Sequence, residues 1–285
     1  MSEDVVLLDG AYAADQRAAS IGGGVFSAYT CPSPDKDTEN EDTVAGIPYG
    51  PQAAVLIVAD GAGGLPAGKR ASLVAVTTLV ASLQAAMEET MLLRTAILNG
   101  IDAANLAVQQ LGNGSATTFT VLTIEGLTVR AYQIGDSEAM VVGQRGLIKL
   151  QTTAHSPTGF AVEAGFLDER EALHHAERHL VSNFLGTTDM RIDIGAEVTL
   201  RPRDTILLAS DGLMDNVHVE EIIERVRKGP IDDAIARVVT LANRRMHGAT
   251  PGQPSKPDDL SLILFRKPYR LAAPQPPTNL TKSDN

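Results

Sequence analysis

The chain has a single cysteine, Cys31, so no internal disulfide can form, and no cluster of cysteine and histidine suggests a zinc centre. A reducing compartment, the cytoplasm, is the expected setting. Basic character is also in short supply. Lys and Arg number 24 against 35 Asp and Glu, a formal net charge of -11, which disfavours nucleic acid as a partner because phosphate backbones attract basic surfaces. That balance leaves phosphate chemistry open, since bound divalent ions reverse the sign of the local field. Long apolar runs are missing too. The uncharged stretch 71–87 is broken by Ser72, Thr77, Thr78, Ser82 and Gln84, which predicts a buried helix and no membrane partner. The opening Met1-Ser2-Glu3-Asp4 is acidic, without the basic segment that precedes a secretory core.

What the chain does carry is a series of short acidic motifs: Glu41-Asp42, Asp60-Gly61-Ala62-Gly63-Gly64, Ser210-Asp211-Gly212 and Asp258-Asp259. Three of them adjoin apolar runs that read as buried strands, 53–59 before Asp60, 205–210 before Asp211 and 260–265 after Asp258-Asp259. A single Asp-Gly is ordinarily a turn. Four acidic motifs, three of them beside strongly apolar strands, favour a two-metal site, because gathered carboxylates repel one another unless protonated or bridged by cations, and hard divalent ions prefer oxygen ligands.

The remaining pattern is helical on both flanks of a strand-rich middle. Residues 69–87 and 92–111 carry apolar positions at helical spacing, as do 219–226 and 231–246 around Gly229-Pro230. Segments 117–124, 128–134 and 138–142 are short and β-rich, joined by glycine-containing turns. The fold class expected is α+β: two antiparallel sheets face to face, each covered by a helical pair, in an αββα sandwich. One domain over 1–270 is expected, with a less regular insertion at 154–186. The tail 271–285 is rich in Pro and polar residues and is expected to be disordered. His155, His174, His175 and His179 are read as side chains of a solvent-facing helical insertion, and Asp168 as a helix cap.

The motifs resemble, in order and spacing from about Val25 to Arg266, those of the metal-dependent protein phosphatase 2C family, in its bacterial form. Asn40-Glu41-Asp42 is similar to the family's N-E-D, and Val58-Ala59-Asp60-Gly61-Ala62-Gly63-Gly64 to its V-x-D-G-x-G-G. Ser115-Ala116-Thr117-Thr118, Ile134-Gly135-Asp136-Ser137, Ala209-Ser210-Asp211-Gly212-Leu213 and Asp258-Asp259-Leu260-Ser261 resemble the motifs that follow. The resemblance implies the same αββα sandwich and hydrolysis of phosphoserine and phosphothreonine by a water activated between two Mn²⁺ or Mg²⁺ ions. By the same resemblance Asp60 bridges both metals, the Gly61 carbonyl serves one, and Asp211 and Asp258 serve the other. Glu41 and Asp42 would orient metal-bound waters. Asp136 is open between two readings, a ligand with Asp211 to a third, weaker metal, or a turn aspartate. The insertion 154–186 resembles the flap beside the active site of bacterial members.

Three positions depart from the family pattern. Asp37 stands where the family has a phosphate-binding arginine, Ala62 where eukaryotic members have histidine, and Glu138 where arginine is usual. An aspartate lacks the planar fork that holds two phosphoryl oxygens. Asp37 is therefore expected to turn to solvent, with Lys36 either assisting phosphate or solvated in the same loop. Two functions follow: a working serine/threonine phosphatase, or a catalytically weak domain that binds phosphorylated partners. The expected partners are phosphorylated protein substrates and an opposing serine/threonine kinase, with the chain a monomer.

Overall fold

A computed structural model describes residues 4–9, 12–34, 36–62, 67–112, 114–248 and 251–268. The tail at 271–285 and Gly63-Gly64 lie outside the described residues. In chain order come β1 (Val6–Leu8), β2 (Asp15–Ile21), β3 (Gly24–Cys31), β4 (Thr43–Pro48), β5 (Ala53–Ala59), β6 (Gly61–Ala62), α1 (Ala67–Glu88) and α2 (Leu93–Gln109). Next are β7 (Ala116–Thr117), β8 (Phe119–Glu125), β9 (Thr128–Ile134), β10 (Glu138–Val142), β11 (Ile148–Gln151), α3 (Pro157–Glu163) and α4 (Glu169–Ala172). The chain ends with β12 (Asp193–Ile194), β13 (Val198–Thr199), β14 (Thr205–Ala209), α5 (Asp211–Met214), α6 (Val219–Val226), α7 (Ile231–His247) and β15 (Leu260–Arg266).

One sheet has the order β1-β4-β5-β8-β9-β12, with β13 also on β9, and the other β11-β10-β14-β15-β3-β2. β5 is an unbroken apolar run because both of its faces are covered. Val55, Ile57 and Ala59 join Leu79, Leu83, Ile97 and Ile101 in the core under α1 and α2. Ala54, Leu56 and Val58 point the other way, into a core shared with Phe26, Ile206, Leu208, Ile263 and Phe265 of the second sheet. The outer face of that sheet, with Leu207, Leu262 and Leu264, packs on Ile235, Val238 and Leu241 of α7. The result is the expected four-layer αββα sandwich. α1 is long and apolar enough to cross a membrane by length and composition. Its Ala75, Val76, Leu79 and Leu83 are nonetheless fully buried against the sheet and α2.

The strand registers place the acidic motifs together. Thr43 pairs with Ala59, Val58 with Thr120 and Phe119 with Ile134 in the first sheet. In the second, Ala209 lies opposite both Glu138 and Leu262, and Leu260 opposite Cys31. Residues 42, 60, 136, 211 and 258 flank these positions at one shared end of the sandwich.

The structure refines the segment 117–124. Thr118 interrupts it, so that β7 leaves to pair with β6 and β8 begins at Phe119. Within 154–186, α3 and α4 are short and the rest is irregular. Asp168 caps α4 in a capping box with Glu171, as its sequence suggests. His174, His175 and His179 are exposed. His155 is the exception and corrects the solvent-facing assignment: it is 3% exposed. Its ring nitrogens lie 2.8 Å from Asn183 Nδ2 and 3.0 Å from Asp193 Oδ2, and its backbone N–H donates to the Gly135 carbonyl. The root of the insertion is thereby fastened beside Asp136.

Candidate functional site

Asp60 leaves β5 into a backbone cradle made by the Ser-Ala-Thr-Thr motif. Its N–H donates to Thr118 Oγ1 at 2.9 Å, and its carbonyl accepts from the Thr118 N–H and the Thr117 hydroxyl, each at 2.8 Å. Thr118 Oγ1 also lies 2.7 Å from Ser137 Oγ, tying the strand end of Asp60 to the Gly-Asp-Ser turn that carries Asp136. Gly61 is glycine for a reason of space. A Cβ there would stand 2.2 Å from the Gly68 carbonyl oxygen, so the acidic loop and the first turn of α1 meet backbone to backbone.

Asp42 is fully buried and bridges the sheets, accepting a hydrogen bond from Ser210 Oγ at 3.0 Å. Asn40 fixes its approach, accepting from the Asp42 N–H at 2.8 Å and donating to Thr30 Oγ1 at 2.6 Å. Asp259 faces the same side as a hub of the loop, accepting from the N–H groups of Ser33 and Glu41 and from Lys36 Nζ. Lys36 also reaches Glu41 Oε2, at 2.8 Å. This settles the expectations at 36 and 37: Asp37 is exposed, whereas Lys36 is an ion-paired member of the site wall.

The opposite edge is built from β14, α5 and the entry to β15. Lys256, which the sequence reading passed over, places its ammonium 2.5 Å from Asp211 Oδ2, 2.9 Å from Asp215 Oδ2 and 3.2 Å from Asp258 Oδ2. Burial opposes that charge, but the three carboxylates outweigh it and raise the lysine's pKa. Asn216 holds the loop in place, accepting from the Lys256 N–H and donating to its carbonyl.

These carboxylates titrate far from their usual range. Burial, then repulsion from Asp42, Asp211, Asp258 and Asp136, holds Asp60 well above it. Asp42 and Asp136 are raised for the same reasons, burial first. Asp258 is pushed up to about 7 and Asp215 to about 6, each by burial and then by Asp211, with Lys256 pulling both back. Glu138 is pushed up to about 7 by burial, opposed by its hydrogen bond from Gln151.

An all-oxygen set that repels itself suits a hard divalent cation. Glu41 Oε1, Asp42 Oδ1 and Asp211 Oδ1 are buried without a hydrogen-bond partner, as oxygens awaiting a cation would be. The residues fit the metals that the motifs imply. Among the described residues, however, no three such side chains converge as a ready cage. Beside the cluster lies a cavity of about 290 Å³. Asp136, Glu138, Asp211 and Asp215 line one wall, and Ser156, Glu163, Arg170 and Arg178 of the insertion line the other.

A two-sheet sandwich with carboxylates from both sheets converging at one end is the architecture of a metal-dependent phosphatase fold. The family model for protein phosphatase 2C matches residues 35–245, and the chain belongs to that family. Protein phosphatase PhpP of Streptococcus pneumoniae is 31% identical over 150 residues, which are 50% of this chain and 60% of that protein. The chain thus spans under two thirds of the length of such curated relatives. The solved serine/threonine phosphatase of S. agalactiae has a TM-score of 0.69 at 25% identity, covering 89% of this chain and 99% of that one. The PstP catalytic domain in complex with two manganese ions shares the fold, with a TM-score of 0.62 at 23% identity over 92% and 99% of the two chains.

Proposed function

We propose that the chain is a Mn²⁺- or Mg²⁺-dependent protein phosphatase acting on phosphoserine and phosphothreonine. The observation that carries this is the convergence of Asp42, Asp60, Asp136, Asp211 and Asp258 at one end of the sandwich, with buried oxygens that lack partners. Manganese in the PstP domain supports it by analogy of fold. Asp60, the Gly61 carbonyl, Asp211 and Asp258 would hold two ions, with Asp136 and Asp211 available to a third. Such ions, when bound, neutralise phosphoryl charge and lower the pKa of water.

The chain's own groups prepare that site. Thr117 and Thr118 fix the backbone of Asp60, and Ser210 orients Asp42. Asp42 and Glu41 would orient metal-bound waters. The insertion walls the neighbouring cavity and would meet the polypeptide around the phosphorylated residue. A phosphorylated protein as substrate, an opposing kinase, a cytoplasmic setting and a monomeric state complete the proposal.

Release of phosphate from a phosphothreonine peptide and from p-nitrophenyl phosphate, with Mn²⁺ and with chelator, tests it. Manganese-dependent turnover that Asp60→Asn abolishes is expected. A second reading, a catalytically weak phosphoprotein-binding domain, is favoured by one observation, the exposed Asp37 in place of an arginine fork. Binding of the phosphopeptide without turnover in Mn²⁺ would select it.

A further inference from the structure

Lys256 holds the carboxylates that a second metal would need. Its ammonium sits within 3.2 Å of Asp211, Asp215 and Asp258, its side chain is 22% exposed, and the loop behind it is clamped by Asn216. Among the described residues no comparable cation touches Asp60, whose contacts there are backbone hydrogen bonds to Thr117 and Thr118. The two halves of the site therefore differ in what a divalent ion meets on arrival.

We infer that Lys256 is an intramolecular competitor for the metal on the Asp211–Asp258 side, a tethered cation that must leave two carboxylates before a divalent ion can take them. An ammonium and a divalent ion cannot share the same oxygens at contact distance, because their repulsion at a few Å in a partly buried site outweighs what either gains from a common ligand. Asp215 supplies the resting place. It lies outside the ligand set implied by the motifs and is 2.9 Å from Lys256 Nζ, so the lysine keeps one partner when Asp211 and Asp258 are taken. The exchange explains why the carboxylates are gathered yet form no ready cage. It also predicts two unequal affinities, with the site served by Asp60 and the Gly61 carbonyl filling first.

This inference rests on the metal-dependent reading, and the experiment separates the two. Calorimetric titration of the full chain with Mn²⁺ alone would compare wild type with Lys256→Met, which keeps length and removes charge, and Lys256→Arg, which keeps charge. Lys256→Met is expected to tighten the weaker Mn²⁺ site by roughly tenfold or more, while Lys256→Arg stays near wild type. Acetylation footprinting of the wild-type protein gives a readout independent of any variant's folding. Mn²⁺ should raise the reactivity of Lys256 as the ammonium is released. Unchanged or weaker binding in Lys256→Met, equal tightening in Lys256→Arg, or unchanged or lowered Lys256 reactivity with Mn²⁺ bound each overturns the inference alone. Absence of any Mn²⁺ binding overturns the metal-dependent reading as well.

Discussion

Asp60 and Asp211 end strands of the two opposed sheets, yet they are supported by different means. Asp60 is held through its backbone by two threonine hydroxyls, and its carboxyl is left to burial and like-charge repulsion. Asp211 shares an ammonium with Asp215 and Asp258. Position is thus fixed by neutral hydrogen bonds on one edge and charge is balanced by a lysine on the other. The difference separates two requirements of a metal site, rigid placement and tolerable electrostatics, that are often met by the same group.

The largest expected effect breaks the first edge. Asp60→Asn should lower turnover well beyond about tenfold at saturating Mn²⁺ while removing repulsion from the apo cluster. Circular dichroism and thermal midpoint should therefore stay level or rise as activity vanishes. An active Asp60→Asn enzyme would refute the metal-centred mechanism. Thr118→Val comes next. It leaves the Asp60 N–H unpaired inside the protein and should cost about 1–3 kcal/mol in urea unfolding, with turnover falling in parallel. If stability is unchanged, the threonine cradle does not position Asp60.

Smaller effects sharpen the lysine-paired edge and the cavity beside it. Deleting 165–177, which leaves the His155 and Asn183 root intact, should slow phosphopeptide hydrolysis about fivefold and spare p-nitrophenyl phosphate, since only macromolecular substrates reach that wall. Equal losses on both would exclude the insertion from substrate contact. Glu138 titrates at about 7 when folded and near 4.5 when unfolded, so the folded state binds the extra proton and stability falls as pH rises between those values. Glu138→Gln should remove that slope, matching wild type near the acid limit of the window and exceeding it by about 3 kcal/mol at the alkaline side. Parallel stability curves would mean that Glu138 ionises without penalty. Last is Asp37→Arg, which restores the family's fork at an exposed position. Screening by water limits the gain to about threefold in the Michaelis constant for a phosphothreonine peptide. No decrease would place the phosphate elsewhere.

The sandwich was legible in the sequence where both faces of a strand are buried. The run at 53–59 is apolar throughout, and that at 260–265 apolar but for Ser261, because each lies between two cores, and the helices at 219–226 and 231–246 show one apolar face. The strands before residue 53 carry weaker marks. β2 lies at the edge of its sheet and is mostly exposed, so its sequence has no apolar pattern to read. The acidic positions were legible as motifs. Lys256 and Asp215 were not, because their meeting with the motif carboxylates depends on long-range register. His155 misled for the same reason: its partners Asn183 and Asp193 are distant in sequence.

The continuous burial of β5 has one more consequence. A half-exposed strand resists slipping by one residue because its apolar side would turn to water. β5 has no such guard: Ala54, Leu56 and Val58 could trade places with Val55, Ile57 and Ala59 and both cores would still be filled with aliphatic groups. What a slip would destroy is the meeting of Asp60 with Thr117 and Thr118, the nearest polar marker along that strand's exit. Asp60 and its cradle thus act as the index mark that tells an otherwise two-sided strand which way round it lies.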